Sequence, residues 1–180
     1  MAYSTAHQSI KAVLVLDQDG RRVHAKYYGS AFNTREKQAA YEAKFYEKTK
    51  STIARSEADI ILLENTVALY RSGADVTFAV VGNTQENELI LNEVLDGLFD
   101  SLSILLRDNL EKRVILEHLE LVFLIVDELV DGGVIMETDG KALASRVLMK
   151  GSTGDDTPLS ELTIGQAINV AKEQLQKSLR

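Results

Sequence analysis

The chain has 180 residues, a length typical of one domain, and 45% of them are hydrophobic. It contains no cysteine, which excludes disulfide bonds, thiolate nucleophiles and cysteine-ligated metal sites. The net charge is −7, from 27 acidic and 20 basic side chains, and this argues against nucleic acid as the principal partner.

The distribution of apolar residues predicts a soluble, intracellular protein. Residues 1–9 lack the positive region and the apolar core of a secretory signal. The longest apolar run, Leu121–Val126, has six residues, whereas a membrane-spanning helix needs about 20. Any contact with a membrane is therefore expected to be indirect.

The first predicted element is a β-hairpin. Ile10–Leu16 is β-branched and aliphatic, and Arg22–Tyr28 alternates between apolar and polar residues. Between them, Asp17–Gly20 supplies the Asp and Gly residues that favour a tight turn. Spaced aspartates also begin calcium-binding loops, but such a loop has glycine at its sixth position and glutamate at its twelfth, and this segment has neither.

A helix and three more strands are predicted next. Thr34–Lys50 is rich in helix-forming residues, contains no Gly or Pro, and begins at a residue that can cap a helix. The three strand candidates are Asp59–Leu63, Thr66–Arg71 and Val76–Val81. The links between them are too short for a parallel crossover, which needs about a dozen residues or more, so antiparallel neighbours are predicted.

The second half of the chain is predicted to be mainly helical. Glu88–Arg107 places leucine and valine at steps of three and four residues, as a core-facing helix does. Asn109–Val130 is apolar around most of its circumference, and we interpret it as one buried helix that is stopped by Gly132-Gly133. A short extended segment, Val134–Met136, and a small helix, Gly140–Met149, complete this part.

These elements predict an α+β domain in which a five-stranded antiparallel sheet is flanked by helices, in the order ββαβββααα. The domain is predicted to cover residues 1–150. Residues 151–180 are predicted to form a linker followed by an amphipathic helix over Ser160–Leu179. One face of that helix carries an apolar stripe of Ile164, Ile168, Ala171, Leu175 and Leu179.

The residues that usually carry catalysis form no recognisable constellation in the sequence. The three histidines, His7, His24 and His118, stand apart from any nucleophile or orienting partner. Gly140-Lys141 is similar to the end of a phosphate-binding loop, but the next residue is alanine rather than the hydroxyl residue that binds magnesium. The sequence therefore predicts no enzyme activity, no cofactor and no metal site.

Several strings resemble the small subunits of vesicle coats. They are VLVLDQDG at 13–20, AKYY at 25–28, LFDSL at 98–102, NLEKR at 109–113 and VDELVDGGVI at 126–135. Together with the order of elements, these strings are similar to the coatomer zeta family and, more distantly, to the sigma subunits of clathrin adaptor complexes. The resemblance extends from Ile10 onwards and implies a longin-like fold.

The resemblance implies a structural, non-enzymatic subunit of the COPI vesicle coat. Such a subunit pairs with the N-terminal solenoid of the coatomer gamma subunit, beside other coatomer subunits, in Golgi-to-ER retrograde and intra-Golgi transport. A small GTPase recruits that coat to the cytoplasmic side of Golgi membranes, so contact with the GTPase and the membrane is expected to be only indirect. The alternative is a free-standing longin-type scaffold, or an adaptor small subunit outside coatomer.

Partner contacts are predicted on two helices. A helix that is apolar all round must be covered on all sides, which makes Leu121, Val122 and Ile125 candidate partner-binding residues. The alternative is that the sheet and the neighbouring helices cover this helix from within the domain. Ile168 and Leu175 are the candidates on the C-terminal helix, which is predicted to dock on another coat subunit because three helices already cover the sheet.

Overall fold

The five predicted strands pair into one antiparallel sheet in the computed structural model, which describes residues 10–51 and 57–151. The strands are β1 (Ile10–Asp17), β2 (Arg22–Tyr27), β3 (Asp59–Leu63), β4 (Thr66–Ser72) and β5 (Val76–Asn83). Their order across the sheet is β2-β1-β5-β4-β3, so β2 and β3 form its two edges. All four pairings are antiparallel, which confirms the prediction.

Helices flank the sheet on both sides. Helix α1 (Arg35–Thr49) packs on one face, and α2 (Glu88–Leu106), α3 (Lys112–Glu117) and α4 (Leu119–Leu129) contribute to the core on the other. A separate two-stranded hairpin, β6 (Val130–Asp131) and β7 (Val134–Ile135), precedes α5 (Gly140–Gly151). The observed bounds agree with the predicted elements to within two residues, except between residues 109 and 130.

Successive side chains of a strand point to opposite faces of the sheet, and the two faces contribute to two separate hydrophobic cores. In β1, Val13 belongs to the core beneath α2 and α4, whereas its neighbour Leu14 belongs to the core beneath α1. Tyr41 and Phe45 are the fully buried aromatic residues of α1. Because β1 is buried on both faces, Ala12–Leu16 is continuously apolar rather than alternating.

Asp17 closes the turn between β1 and β2. Its Oδ1 accepts hydrogen bonds from the backbone N–H groups of Asp19, at 2.9 Å, and Arg21, at 2.8 Å. Gly20 has a φ of +74°, and a Cβ atom there would lie 2.4 Å from Cγ of Tyr46, so a side chain does not fit. The segment is therefore a hairpin turn, as the sequence predicted.

The predicted single helix over Asn109–Val130 is wrong. The break before this segment was predicted: α2 ends in two left-handed residues, Arg107 with a φ of 54° and Asp108 with a φ of 60°. Helical structure then resumes only with α3, at Lys112 rather than at Asn109. A second break falls at His118, where φ is −126° and ψ is 37°, between α3 and α4. Leu116–His118 are all exposed, so no buried side chain keeps the helix continuous at this point.

Gly132 and Gly133 do not stop a helix either. Helix α4 ends at Leu129, and Val130 already has the extended conformation of β6, with a φ of −141° and a ψ of 122°. The two glycines form the turn between β6 and β7, with φ values of 56° and 88°. Positive φ at both central residues is the requirement of a type I′ hairpin turn. The N–H of Ile10 donates to the Gly133 carbonyl at 3.1 Å, which joins this hairpin to β1.

The predicted linker and C-terminal helix lie outside the described residues, as do the candidate contacts Ile168 and Leu175. The described residues up to Val147 belong to one compact unit. The domain boundary at residue 150 stays a prediction.

Candidate partner-binding surface

Two of the three candidate contacts on α4 are buried inside the domain. Val122 and Ile125 have no exposed surface and belong to the core beneath the sheet. Leu121 is half-buried against the same core. This corrects the prediction for Val122 and Ile125, because the sheet and the neighbouring helices already cover them and leave no surface for a partner. The alternative that the sequence left open, coverage from within the domain, holds for these two residues.

The outer side of α4 covers the β2 edge of the sheet. The ring of Phe123 lies edge-on to that of His24, with their centroids 4.9 Å apart. Beside them, Lys26 Nζ is 2.6 Å from Asp127 Oδ1. Burial lowers the pKa of His24 to about 4, against the opposing effect of the Asp127 carboxylate. The imidazole is therefore neutral at physiological pH and packs as an aromatic group.

A partly buried ion pair joins the same edge to α1. Arg22 Nη2 lies 2.6 Å from Glu42 Oε1, and Glu42 is 6% exposed. The hydroxyl of Tyr27 donates to the same carboxylate oxygen at 2.7 Å. Burial, together with this contact, raises the pKa of Tyr27 above its usual value. Strand β2 is thus held by α1 on one face and by α4 on the other.

A further polar contact anchors α3 to the end of β1. Asp17 is 3% exposed, and its Oδ2 accepts a hydrogen bond from Lys112 Nζ at 2.8 Å. Burial acts to raise the pKa of Asp17, but the hydrogen bonds from Lys112 and from the turn N–H groups outweigh it and hold the pKa below its usual value. The backbone N–H of Lys112 also donates to Asp75 Oδ1, at 2.7 Å.

These acidic side chains make structural contacts. Within residues 10–51 and 57–151, no group of three or more histidine, aspartate or glutamate side chains is placed to hold a metal ion. No helix in this part of the chain is long and apolar enough to cross a membrane.

Large apolar side chains remain exposed at several places on the described surface. They include Ile60 and Leu62 on β3, Leu89 and Ile104 on α2, and Leu116 on α3. Single exposed apolar residues are common on protein surfaces, whereas a contiguous patch marks a binding surface. The two residues of β3 are such a pair, because alternate positions of a strand lie on the same face.

The exposed pair on β3 lies on the side of the sheet that α2 covers elsewhere. Ile60 is opposite Leu69 and Leu62 is opposite Val67, and both of these β4 residues are buried in the core beneath α2. Ile60 and Leu62 themselves are 46% and 65% exposed. Helix α2 therefore covers β4 but leaves the edge strand open.

A depression of about 380 Å³ adjoins the start of β3. It lies between the two residues that precede β3, Arg71 of β4 and the first half of α2. Ala58 lines it, and Ile60 and Leu62 follow at alternate positions on the same face. We term this surface the β3 groove. Its residues are Glu57, Ala58, Ile60, Leu62, Arg71, Asn92 and Asp96.

The side chains that line the β3 groove carry a net negative charge. The Arg71 guanidinium lies 3.7 Å from the centre of the Phe99 ring, and its Nη1 is 3.7 Å from Asp96 Oδ1. This single cation is therefore shared between an aromatic face and a carboxylate. Glu57 is exposed and adds a second carboxylate, so the groove carries a net negative charge.

Sequence reasoning missed this surface. Asp59–Leu63 reads DIILL, and an apolar run without alternation is typical of a strand buried on both faces. Whether the second face of β3 is covered depends on how far α2 extends across the sheet, and the sequence of the strand does not specify this. One signal was present: the run contains no lysine or proline, the residues that commonly protect a free edge strand.

The fold and the sequence together define the class of protein. A comparison with models of protein families matches residues 9–154 to the clathrin adaptor complex small chain, and the chain belongs to that family. The sequence is 46% identical over 171 residues to human coatomer subunit zeta-1, a match that covers 95% of this chain and 93% of the human protein. It is 44% identical over 170 residues to coatomer subunit zeta-1 of Arabidopsis thaliana, covering 94% and 96%. Within the adaptor small chains, the protein therefore belongs to the coatomer zeta subunits.

Comparison with solved structures supports the same fold. A chain of the structure described as a homology model of the full-length AP-3 complex in a stretched open conformation matches with a TM-score of 0.65. The match covers 80% of this chain and 94% of that chain, at 17% sequence identity. At this identity the likeness concerns the fold alone, and it confirms the predicted longin-like α+β architecture.

Proposed function

We propose that this chain is the small structural subunit of a COPI vesicle coat and that it pairs with the N-terminal solenoid of the coatomer gamma subunit. The observation that carries the proposal is the similarity to coatomer zeta subunits, which extends over 94% and 95% of the chain in the two relatives above. Because the match includes the sheet and its helices, it reflects a shared architecture rather than a short shared motif.

The described surface supports assembly rather than catalysis. The buried polar groups join elements of the fold: Asp17 binds α3 through Lys112, and Glu42 binds β2 through Arg22. The exposed apolar residues of β3, in contrast, are suited to contact with a partner that covers them. This distribution favours a subunit that works by binding other chains.

Within this proposal, the protein acts in retrograde transport from the Golgi to the endoplasmic reticulum and in transport within the Golgi. It is a cytoplasmic protein that lies on the outer side of Golgi membranes and COPI-coated vesicles. It meets the membrane and the small GTPase only through other coatomer subunits, takes no cofactor and catalyses no reaction. Ile168 and Leu175 remain proposed contacts with another coat subunit.

Co-expression with the N-terminal solenoid of the gamma subunit tests the proposal. We expect a one-to-one complex in size-exclusion chromatography with light scattering, with an interface on the order of 2,000 Å² or more, as permanent complexes have. The matched control is the corresponding solenoid of a clathrin adaptor large subunit, which we expect not to bind. If the chain does not bind the gamma solenoid, the proposal is contradicted. If it binds the adaptor solenoid more tightly than the gamma solenoid, the result supports the alternative, an adaptor small subunit outside coatomer.

A further inference from the structure

We propose that the β3 groove receives an amphipathic helix of the coat partner. The apolar face of that helix packs against Ile60 and Leu62, and lysine or arginine side chains at its margin face Glu57 and Asp96. The inference rests on the proposed function, because it takes the partner to be a helical solenoid. It goes further by naming the surface and the chemistry of the contact.

The apolar part of the groove is an exposed extension of the domain core. Ile60 and Leu62 stand opposite Leu69 and Val67, which α2 buries. A helix lying beside α2 would cover the edge strand as α2 covers β4. Ile60 and Leu62, which are 46% and 65% exposed, would then lose apolar surface to the interface. Removal of apolar surface from water is the main source of favourable free energy in association.

The backbone of β3 favours a helix over an added strand. A partner strand pairs with free N–H and C=O groups along the outer edge of a sheet. Here the Leu62 carbonyl accepts a hydrogen bond from Lys48 Nζ at 2.8 Å, and the Ile60 N–H donates to Asp59 Oδ1 at 2.9 Å. An added strand would have to displace both contacts, whereas a helix packs on the side chains and leaves them intact.

The charges of the groove indicate which side chains flank the apolar face of the bound helix. Two carboxylates, of Glu57 and Asp96, stand against one guanidinium, of Arg71, which already contacts Asp96. The whole chain also carries a net charge of −7. A helix with basic residues beside its apolar stripe complements this surface, and an acidic helix is repelled by it.

Binding of the full-length chain to the gamma-subunit solenoid, measured by biolayer interferometry, tests the inference. The groove variant carries Ile60→Ser together with Leu62→Ser. The matched control is Leu116→Ser, because Leu116 is 48% exposed on α3, close to the 46% of Ile60. We expect the groove variant to bind at least about tenfold more weakly, and the control to stay within about twofold of the wild type.

A charge variant tests the margin of the groove separately. Glu57→Lys should weaken binding by about two- to tenfold, and the loss should shrink at high ionic strength. Thermal unfolding checks that each variant is folded. Should the double variant fail to fold, Leu62→Ser alone and Glu57→Lys carry the test.

The outcomes separate this inference from the proposed function. A wild-type chain that does not bind the solenoid overturns both. Wild-type binding with an unaffected groove variant overturns the inference alone, as does an equal loss in the groove variant and in Leu116→Ser. Tighter binding by Lys48→Met, which frees the Leu62 carbonyl, would show strand addition instead of a helix. An isolated chain whose self-association disappears in the groove variant would show that a second copy is the occupant.

Discussion

The two edge strands of the sheet differ in how far the helices of the domain cover them. At β2, α4 covers one face and α1 the other, so that His24 is only 8% exposed. At β3, α1 covers the face that carries Leu63, but Ile60 and Leu62 on the opposite face are 46% and 65% exposed. The comparison teaches that apolar composition alone does not distinguish a surface covered by the chain's own helices from one that fits a partner.

Truncation of the buried face of α4 should have the largest effect. Ile125 is fully buried, so Ile125→Ala should lower the free energy of unfolding by about 2–5 kcal/mol through lost burial and a residual cavity. Chemical denaturation measures the loss, with Ile60→Ala as the exposed counterpart, for which we expect less than about 1 kcal/mol. Similar losses in the two variants would contradict the burial of α4.

Acidification should weaken the β2 edge through His24. The pKa of this imidazole is about 4 in the fold and 6.5 in the unfolded chain, so the unfolded chain binds more protons between these values. The free energy of unfolding should therefore fall as the pH falls from about 6.5 to about 4, by up to about 3 kcal/mol. Above pH 6.5 the imidazole is neutral in both states, and this loss is absent.

The variant His24→Phe isolates this effect, because it keeps an aromatic ring beside Phe123 without a titrating group. Its unfolding free energy, measured by denaturant titration at several pH values, should depend less on pH than that of the wild type across the same window. Parallel pH profiles for the two proteins would refute a buried, neutral His24.

Loss of the buried carboxylate at the β2 edge should have an intermediate effect. Glu42→Gln removes the charge that Arg22 and Tyr27 contact, and we expect a loss of about 1–3 kcal/mol in unfolding free energy. Glu64→Gln is the control, because the Glu64–Lys44 pair is exposed and should contribute less than about 1 kcal/mol. An equal response to both substitutions would argue against a stabilising role of the Arg22–Glu42 pair.

Substitution at the open edge should have the smallest effect on stability. Leu62→Ser should change the free energy of unfolding by no more than about 0.5 kcal/mol, because Leu62 is already 65% exposed. Thermal and chemical unfolding measure it. A loss above about 1.5 kcal/mol would mean that Leu62 belongs to the domain core.

Local patterns were sufficient for most of the fold. The Asp and Gly residues of Asp17–Gly20 mark the first turn, and the short links around Thr66–Ser72 allow only antiparallel neighbours. The interior position of β1 follows from pairing with the distant β5, and nothing within β1 specifies that partner. The break at His118 escaped prediction because the apolar segments on both sides of it are each typical of a helix.

The candidate site was harder to predict than the fold, for a physical reason. Burial in the domain core and burial by a partner require the same apolar side chains, so the sequence could not assign Val122 and Ile125 to one or the other. Their coverage depends on the packing of α4 beneath the sheet, and the exposure of Ile60 depends on the reach of α2. Both are properties of the tertiary structure.

Amide hydrogen exchange of the full-length chain, alone and bound to the gamma-subunit solenoid, compares the two edges directly. We expect binding to slow exchange in residues 57–63 and in the neighbouring turn of α2 around residues 92–96, while β2 and α4 keep their rates. Slower exchange at β2 and α4, with β3 unchanged, would contradict the assignment of the open edge to the partner.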